Sequence, residues 1–304
     1  MRKLILFYTA FFVFLLLSSA AAQQADTAGV FSFINEGSNI IENSQSLQAV
    51  FDKLQRIQSG QKEKLTVYHF GDSHVRAFQF PKELANRMQF KFGNAGGNLL
   101  YNKQNIRKYR RKGRYRTVVK ESRQVGVTGL TSEGEAGIEF NAYGVSGKTY
   151  AYFAKSAVAE KHLRTYRPDL VIISLGTNEA FGPAVDQSAI YNDITRCIAL
   201  VRNIVPGAAI ILTIPPDCYR KKVYNDKVLT VRDAIIKYSK ENNTAYWDLL
   251  HVMGGITSRL KWFDAGLSQK DLVHFTPQGY KLQGDLLFEA LDSSYCIYRI
   301  RNFR

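Results

Sequence analysis

One serine and one histidine in this sequence have neighbours that are typical of acyl-transfer chemistry. Ser73 lies in the turn Gly71–His74, directly after a β-branched and aromatic stretch that predicts a strand. His274 follows Asp271 by three residues. A serine hydroxyl is a poor nucleophile until a nearby base removes its proton, and a carboxylate on the other ring nitrogen keeps a histidine oriented for that task. The pattern therefore indicates Ser73 as nucleophile, His274 as base and Asp271 as the residue that orients it.

Other histidines compete with His274 for the role of base. His74 directly follows Ser73, and we interpret it as a pocket residue that contacts the substrate. His251 lies near Asp248 and forms an alternative acid–histidine pair, but it precedes a glycine turn instead of a helix. A buried structural role is expected for the histidine inside the first predicted strand, and solvent exposure for the one in a polar helix. These last two are His69 and His162.

Three of four short polar or glycine-containing motifs directly follow predicted strands. These three are Gly71–His74, Gly144–Gly147 and Gly176–Glu179, and the fourth motif, Asp271–His274, precedes the last predicted helix. Open parallel sheets bind ligands beyond the carboxyl ends of their strands. The spacing therefore predicts that the four motifs meet at one edge of a sheet.

The elements between these motifs alternate between strands and helices. Continuous apolar runs at 169–175 and 208–214 are typical of strands buried on both faces of a parallel sheet. Alternation of this kind favours right-handed crossovers, and predicts the α/β class with a three-layer α/β/α sandwich around a central parallel sheet. Further strands are predicted at 64–70, 138–142 and 244–248, and helices at 46–58, 81–92, 149–166, 186–205, 227–241 and 277–298.

Taken together, the motifs resemble the conserved blocks of the SGNH (GDSL-type) hydrolase family. Gly71–Ser73 looks like the first block, which carries the nucleophile, and Ser146–Thr149 is similar to the second. Gly176–Glu179 resembles the third block, and Asp271–His274 matches the last. The resemblance extends over nearly the whole chain after residue 22. It implies a flavodoxin-like fold and an ester hydrolase that needs no metal and no cofactor.

The resemblance also implies an oxyanion hole. Its donors would be the backbone N–H groups of Ser73 and Gly147 and the side-chain amide of Asn178. Two departures from the commoner family pattern are His74, where Leu or Ile is usual, and Glu179, where Asp is usual. Both departures look closer to the bacterial cell-wall polysaccharide O-acetylesterases within the family.

The first 22 residues have the pattern of a secretory signal peptide. Arg2 and Lys3 precede an apolar run at 4–17, and small residues follow at 18–22. The run is shorter than the roughly 20 residues that a spanning helix needs. We therefore expect cleavage after Ala22, an exported protein in the periplasm or outside the cell, and no stable membrane insertion after cleavage. An uncleaved anchor is the alternative.

The remaining residues, 23–304, are predicted to form a single domain with a basic, glycine-rich insertion at about 93–140. The net charge of +15 falls to +13 without Arg2 and Lys3, and the stretch 103–123 alone holds ten Lys or Arg and one acid. Such a patch favours polyanions, and after export an anionic glycan is expected before nucleic acid. We expect Tyr109 and Arg111 to contact the substrate, with a solvated loop as the alternative.

The leading functional hypothesis is an exported serine esterase that removes O-acetyl groups from a polysaccharide, with peptidoglycan as the first candidate. The alternatives are a lipid acyl-ester hydrolase, an O-acetyltransferase and a non-catalytic glycan-binding protein of the same fold. The oligomeric state is left open. The three cysteines show no metal-binding spacing, and either one disulfide or three free thiols is compatible with Cys197, Cys218 and Cys296.

Overall fold

The computed structural model describes residues 31–111, 114–130 and 134–302, with backbone alone between 101 and 128. The predicted signal peptide therefore lies outside the described residues. The strands, in chain order, are β1 (Ile41–Glu42), β2 (Lys64–Gly71), β3 (Asn94–Arg111), β4 (Arg114–Leu130), β5 (Gly137–Gly144), β6 (Leu170–Ser174), β7 (Ala209–Ile214), β8 (Tyr219–Arg220), β9 (Val223–Tyr224) and β10 (Ala245–Asp248).

Eight of these strands form one sheet in the order β1-β10-β7-β6-β2-β5-β3-β4. From β10 to β3 every neighbouring pair is parallel, whereas β1 and β4 join the two edges antiparallel. If the five strands β2, β5, β6, β7 and β10 are numbered along the chain, their spatial order is 2-1-3-4-5, which is the flavodoxin-like order. β8 and β9 form a separate short hairpin.

Helices cover both faces of the sheet, which confirms the predicted three-layer sandwich. The helices are α1 (Gln48–Gln58), α2 (Ser73–Arg76), α3 (Gln79–Phe92), α4 (Tyr150–Phe153), α5 (Ala157–Tyr166), α6 (Thr177–Ala180), α7 (Gln187–Ile204), α8 (Lys227–Glu241), α9 (Leu249–Val252), α10 (Ser258–Asp264) and α11 (Pro277–Asn302). One apolar core joins the sheet to α1, α3, α10 and α11, and the other joins it to α4, α5, α7 and α8.

The central strand β6 shows why this arrangement follows from the sequence. All five of its residues are buried. Leu170 and Ile172 join the first core, and Val171 and Ile173 join the second. Successive side chains of a strand point to opposite faces, so an unbroken apolar run is stable only where helices cover both faces.

Two predicted helices differ from those observed. The helix predicted at 149–166 is divided into α4 and α5, because the Ser156 hydroxyl accepts a hydrogen bond from Ala159 N–H at 3.2 Å and begins a new helix. The helix predicted to start at Pro81 starts at Gln79. Pro81 still lies in its first turn, where a missing N–H breaks no helical hydrogen bond.

The glycine-rich segment predicted as an insertion is partly built into the sheet. Residues 94–101 of β3 pair in parallel with β5, and Tyr101 is opposite Gly144 at the end of that strand. Beyond Tyr101, β3 continues to Arg111. In the described residues this outer part of β3 pairs with the antiparallel strand β4 and no longer with β5. The basic stretch therefore lies on a β-hairpin that projects past the sheet edge.

In the part of the chain that the structure describes, no helix is both long enough and apolar enough to cross a bilayer. The three cysteines are unpaired, with Cys197 and Cys218 buried and Cys296 exposed.

Candidate active site

Three of the four motifs meet at the carboxyl ends of adjacent strands. Ser73 follows β2, Gly147 follows β5 and Asn178 follows β6, and β2 lies between the other two strands. The chain builds β3, β4 and β5 on one side of β2 and then crosses from β5 to β6 on the other side, which makes this the topological switch point of the sheet. Ligand sites of open α/β sheets form at such points.

A one-turn helix presents the serine. Asp72 caps this helix, because its Oδ1 accepts the N–H of His74 at 2.9 Å. Ser73 is therefore the first residue of α2. The cap satisfies a backbone donor that would otherwise have no partner at the helix start.

Ser73, His274 and Asp271 form a continuous line of hydrogen bonds. Ser73 Oγ lies 3.0 Å from His274 Nε2, and His274 Nδ1 lies 2.7 Å from Asp271 Oδ2. Asp271 is ionised, so it accepts a hydrogen bond from Nδ1–H, and Nε2 is then left as the acceptor for the serine hydroxyl. The structure thus brings together the three residues that the sequence indicated.

The Asp271 carboxylate is held by the loop that contains it. Its Oδ1 accepts the backbone N–H groups of Val273 and His274, each at 2.9 Å. Partial burial raises the pKa of Asp271, but the hydrogen bonds from the His274 ring and from these two backbone groups outweigh burial, so the pKa is lowered overall. The carboxylate therefore stays charged and keeps the imidazole oriented.

The predicted oxyanion donors surround the same space. Gly147 has a φ of +76°, a left-handed conformation that favours glycine. Among the described residues, the N–H groups of Ser73 and Gly147 donate no hydrogen bond. Asn178 Nδ2 donates to Lys148 O at 2.9 Å and to Asp72 Oδ2 at 3.2 Å. Its amide would have to release one of these partners in order to bind an oxyanion.

A single open concavity of about 520 Å³ contains the serine and the histidine. It is wide and partly polar, and large enough for a sugar ring. Its lining residues are Ser73, Arg76, Ala77, Ser146, Gly147, Asn178, Gln269, His274 and Tyr280.

Two acidic side chains are enclosed beneath this concavity. Burial raises the pKa of Asp72 to about 8, although the hydrogen bond from His74 N–H opposes the shift and the charge of Glu179 adds to it. Burial likewise raises the pKa of Glu179 to about 7, opposed by hydrogen bonds that include the 2.6 Å bond from Tyr150 N–H.

The structure places His74 elsewhere than the sequence analysis expected. It was predicted to contact substrate, but it is 3% exposed and does not line the concavity. One helical residue after Ser73, it points about 100° away, and its Nδ1 lies 3.2 Å from the hydroxyl of Tyr280. Burial, reinforced by the nearby His274 and Arg259, lowers the pKa of His74 well below its usual range.

Tyr109 and Arg111, the other predicted substrate contacts, lie on the projecting hairpin. Tyr109 is eight residues beyond Tyr101, which ends the pairing with β5. At roughly 3.3 Å per residue this is about 26 Å along the strand from the sheet edge. Both contacts stay predictions.

The rival histidines have structural roles among the described residues. His69 is buried with its Nε2 2.8 Å from the Ser174 hydroxyl, as expected. His251 does not form the alternative pair, because its ring contacts Ser38 at 3.1 Å while Asp248 caps a helix. The expected exposure of His162 is wrong.

His162 packs against aromatic side chains instead of facing solvent. Its Nδ1 lies 3.0 Å from the Tyr68 hydroxyl, and the ring of Tyr143 packs edge-on 5.0 Å away. Burial, with a smaller effect of Lys161, lowers the pKa of His162 to about 4. The polar sequence of the helix concealed this contact, which depends on a strand elsewhere in the chain.

Four lining residues, Arg76, Ala77, Gln269 and Tyr280, were not found from the sequence. Arg76 lies one helical turn after Ser73, Gln269 precedes Asp271 by two residues, and Tyr280 is in the first turn of α11. The spacing of Arg76 from Ser73 becomes informative only once Ser73–Arg76 is known to be helical, because residues three apart then share a helix face.

A model of a known protein family matches this chain. The model of the GDSL-like lipase/acylhydrolase family matches residues 107–282, more than half of the chain. The chain belongs to this family. As a GDSL-like acylhydrolase it is an ester hydrolase by family, which confirms the resemblance seen in the sequence. The matched region includes Gly147, Asn178, Asp271 and His274, and Ser73 precedes it.

One solved structure has the same fold, and two others are similar to the chain at lower TM-scores. A peptidoglycan O-acetylesterase ("Peptidoglycan O-acetylesterase in action, 5 min") is similar to this GDSL-like acylhydrolase with a TM-score of 0.66 at 20% identity, covering 81% of this chain and 96% of that chain. A lipase/acylhydrolase from Enterococcus faecalis has a TM-score of 0.47 at 16% identity, covering 75% and 96%. The esterase EstA from Pseudoalteromonas sp. has 0.49 at 14%, covering 75% and 97%. No curated protein sequence matches the chain.

Proposed function

We propose that this GDSL-like acylhydrolase is an exported serine esterase that removes O-acetyl groups from a polysaccharide, with peptidoglycan as the first candidate. The observation that carries the proposal is the hydrogen-bonded line from Ser73 through His274 to Asp271 at the wall of an open concavity. In the proposed reaction all three are catalytic or orienting groups, and no cofactor takes part.

The acylation step begins at the serine. Ser73 Oγ attacks the acetyl carbonyl carbon while its proton passes to His274 Nε2, 3.0 Å away. The resulting imidazolium is stabilised by Asp271, which holds Nδ1–H. Collapse of the tetrahedral intermediate breaks the bond to the sugar oxygen. That oxygen takes the proton from Nε2, and the sugar leaves with a free hydroxyl group.

Deacylation repeats the sequence with water. His274 Nε2 removes a proton from a water molecule, and the resulting hydroxide attacks the acetyl-serine carbonyl. The ester bond to Ser73 Oγ breaks, the oxygen regains the proton from His274, and acetate leaves. The proton that passes between Ser73 Oγ and His274 Nε2 has to cross only the 3.0 Å that separates these two atoms.

The negative oxygen that develops in both steps needs donors. We assign this role to the N–H groups of Ser73 and Gly147, and to Asn178 Nδ2 once substrate displaces one of its two present acceptors. Removal of one such donor typically lowers the rate by about 10²–10³-fold.

Three observations support a polysaccharide over a lipid substrate. The fold is similar to that of a peptidoglycan O-acetylesterase. The concavity is open, and its lining includes the polar side chains of Ser146, Asn178 and Gln269, which can bind sugar hydroxyl groups. The sequence of residues 1–22 predicts export, and exported enzymes meet cell-wall glycans.

The test is acetate release from O-acetylated peptidoglycan, xylan and pectin, together with hydrolysis of 4-nitrophenyl acetate and octanoate. Ser73→Ala is expected to abolish all activity, whereas Ser188→Ala, an exposed serine on α7, should leave it unchanged. Activity that survives in a folded Ser73→Ala variant refutes the mechanism. A strong preference for octanoate refutes the O-acetylesterase assignment, and acetyl transfer to an added glycan acceptor without net hydrolysis identifies a transferase.

A further inference from the structure

We infer that Arg76 is a specificity-determining residue that binds a carboxylate of the substrate close to the ester that is cleaved. The substrate would then be an acylated acidic polymer, with the carboxylate supplied by a uronic acid or by the stem peptide of peptidoglycan. This inference rests on the proposed esterase function and narrows its substrate class.

The position of Arg76 relative to the nucleophile is the first reason. Both residues belong to α2 and are three positions apart, which places them on one face of the helix. Both line the same concavity of about 520 Å³. A group bound at Arg76 would therefore belong to the same substrate molecule as the ester at Ser73 Oγ.

The charge of the concavity is the second reason. Among the described residues that line it, Arg76 is the one with a permanent charge, and no Asp or Glu is among them. Asp271 directs its carboxylate at the Nδ1 side of His274, away from the serine. A carboxylate pairs with the planar N–H groups of arginine through two hydrogen bonds, so an acidic group of the substrate is the ligand that this lining favours.

The backbone of Arg76 is rigidly placed. It packs against the end of β5 at Gly144, where an added Cβ atom would lie 2.1 Å from Arg76 N and 2.3 Å from Arg76 Cα. One of its guanidinium nitrogens, Nη1, lies 3.5 Å from Ser146 Oγ, at the rim of the concavity. The backbone from which the guanidinium extends is therefore fixed by packing at a strand end, which gives the group a defined starting point beside the concavity.

The hairpin formed by β3 and β4 begins next to Arg76 and is also rich in positively charged residues. Gly144, which touches Arg76, is the register partner of Tyr101, where β3 leaves the sheet. The stretch 103–123 that follows carries ten Lys or Arg and one acid, with Tyr109 opposite Arg116 and Arg111 opposite Arg114. A positive site beside the serine and a positive hairpin rooted next to it fit a chain of repeated negative charges better than a small anion.

The experiment compares substrates that differ only in charge. One pair is O-acetylated polygalacturonate with free carboxylates and the same polymer with methyl-esterified carboxylates, at equal acetyl content. The other pair is O-acetylated peptidoglycan before and after amidation of its carboxylates. For each pair the measured quantity is the ratio of kcat/KM on the charged form to kcat/KM on the neutral form.

We expect the wild-type ratio to exceed one for the pair that carries the natural carboxylate. In Arg76→Gln the ratio should fall by about 10–100-fold, mainly through KM, since a charge-assisted hydrogen bond is lost. Arg76→Lys should retain part of the preference. The matched control is Arg196→Gln, an exposed arginine on α7, which should keep the wild-type ratio. The pair that responds identifies the source of the carboxylate.

Three other outcomes would contradict the role of Arg76, the acidic substrate or the esterase function itself. If Arg76→Gln lowers kcat/KM equally on charged and neutral forms, Arg76 merely supports the turn at Ser146 and the inference fails. If the wild-type ratio is near one for both pairs, the substrate is not acidic and the inference fails, while Ser73-dependent ester hydrolysis still stands. If no substrate shows Ser73-dependent hydrolysis, the proposed function itself fails.

Discussion

At the scale of single residues, the Asp271 side chain has two separate tasks in one short loop. Its Oδ1 closes the turn by accepting hydrogen bonds from two backbone N–H groups. Its Oδ2 accepts a hydrogen bond from Nδ1–H of the His274 ring. Leu272 adopts a left-handed φ of +53°, which brings the carboxylate back toward residue 274. The orientation of the base therefore depends on a carboxylate. An amide of the same shape could still accept the two backbone N–H groups, but its nitrogen could not accept the hydrogen bond from Nδ1–H.

We predict that Asp271→Asn lowers kcat on 4-nitrophenyl acetate by about 10²–10⁴-fold while the protein stays folded. The amide oxygen can still close the turn, but the amide nitrogen then faces Nδ1 of His274. This favours the ring tautomer whose proton is on Nε2, and that tautomer cannot accept the proton of Ser73.

The matched control for this prediction is Asp264→Asn, an exposed residue at the end of α10, which should keep the wild-type kcat. Circular dichroism verifies the fold of each variant. A kcat in Asp271→Asn within a factor of three of the wild type contradicts the orienting role.

The sequence predicted the residues of this line better than it predicted their neighbours. Ser73, Asp271 and His274 were found because their chemical types and spacing are informative without any fold. Arg76 and His74 depend on the direction of side chains in a helix of four residues. Such a helix is too short to produce an apolar period, so neither the helix nor the faces it presents can be read from the sequence.

At the scale of elements, the turn after β5 is fixed by its neighbours. Val145 N–H donates to Gly71 O at 2.9 Å, which ties the end of β5 to the end of β2. Two residues later Gly147 takes its left-handed conformation. The N–H of this glycine can face the concavity only while the turn keeps that shape.

Gly147→Ala and Gly255→Ala form a matched pair for testing the turn. Both glycines have a φ of +76°, and an added Cβ atom would meet nothing within 4 Å at either position. Each substitution should therefore lower the free energy of unfolding by about 1–2 kcal/mol through backbone strain alone. Gly147→Ala should also lower kcat by at least about 10-fold, because a displaced N–H no longer binds the oxyanion.

Urea unfolding and 4-nitrophenyl acetate kinetics measure the two effects separately. Gly255 lies in the turn after α9, remote from the concavity lining, so its variant should lose stability and keep its kcat. Equal kcat values for the two variants would remove Gly147 from the proposed oxyanion hole.

Elements with a continuous apolar run were predicted closely, and those that depend on distant partners were not. The runs at 170–174 and 209–214 are strands because burial on both faces leaves few other solutions. The pairing of β3 with β5 joins segments of mixed glycine, polar and apolar residues, and no local pattern specifies it. The division of 149–166 depends on one capping serine in a sequence that otherwise favours a continuous helix.

At the scale of the whole molecule, the site is built over carboxyl groups that folding keeps from water. Asp72 and Glu179 have pKa values raised to about 8 and about 7, chiefly by burial. A protein that encloses acids in this way takes up protons when it folds near neutral pH. Its stability must then depend on pH in a direction opposite to that of an acid held in a salt bridge.

Glu179→Gln tests this dependence. Glu179 Oε1 accepts Tyr150 N–H, which a glutamine oxygen can also do, and Oε2 is buried without a hydrogen-bond partner among the described residues. The pKa of Glu179 rises from 4.5 to about 7 on folding, so between these values the folded protein holds a proton that the unfolded chain has lost. The stability contributed by this proton is fully present below pH about 4.5 and is lost as the pH rises through about 7.

We therefore expect the wild type to lose on the order of 3 kcal/mol of unfolding free energy relative to Glu179→Gln between pH 5 and pH 8. Urea unfolding at several pH values measures the difference, with Glu160→Gln, an exposed carboxylate on α5, as control. The Glu160→Gln curve should follow that of the wild type over this range. Wild-type and Glu179→Gln curves that stay parallel from pH 5 to pH 8 would mean that Glu179 is ionised in the folded protein throughout, and that solvent reaches the floor of the site.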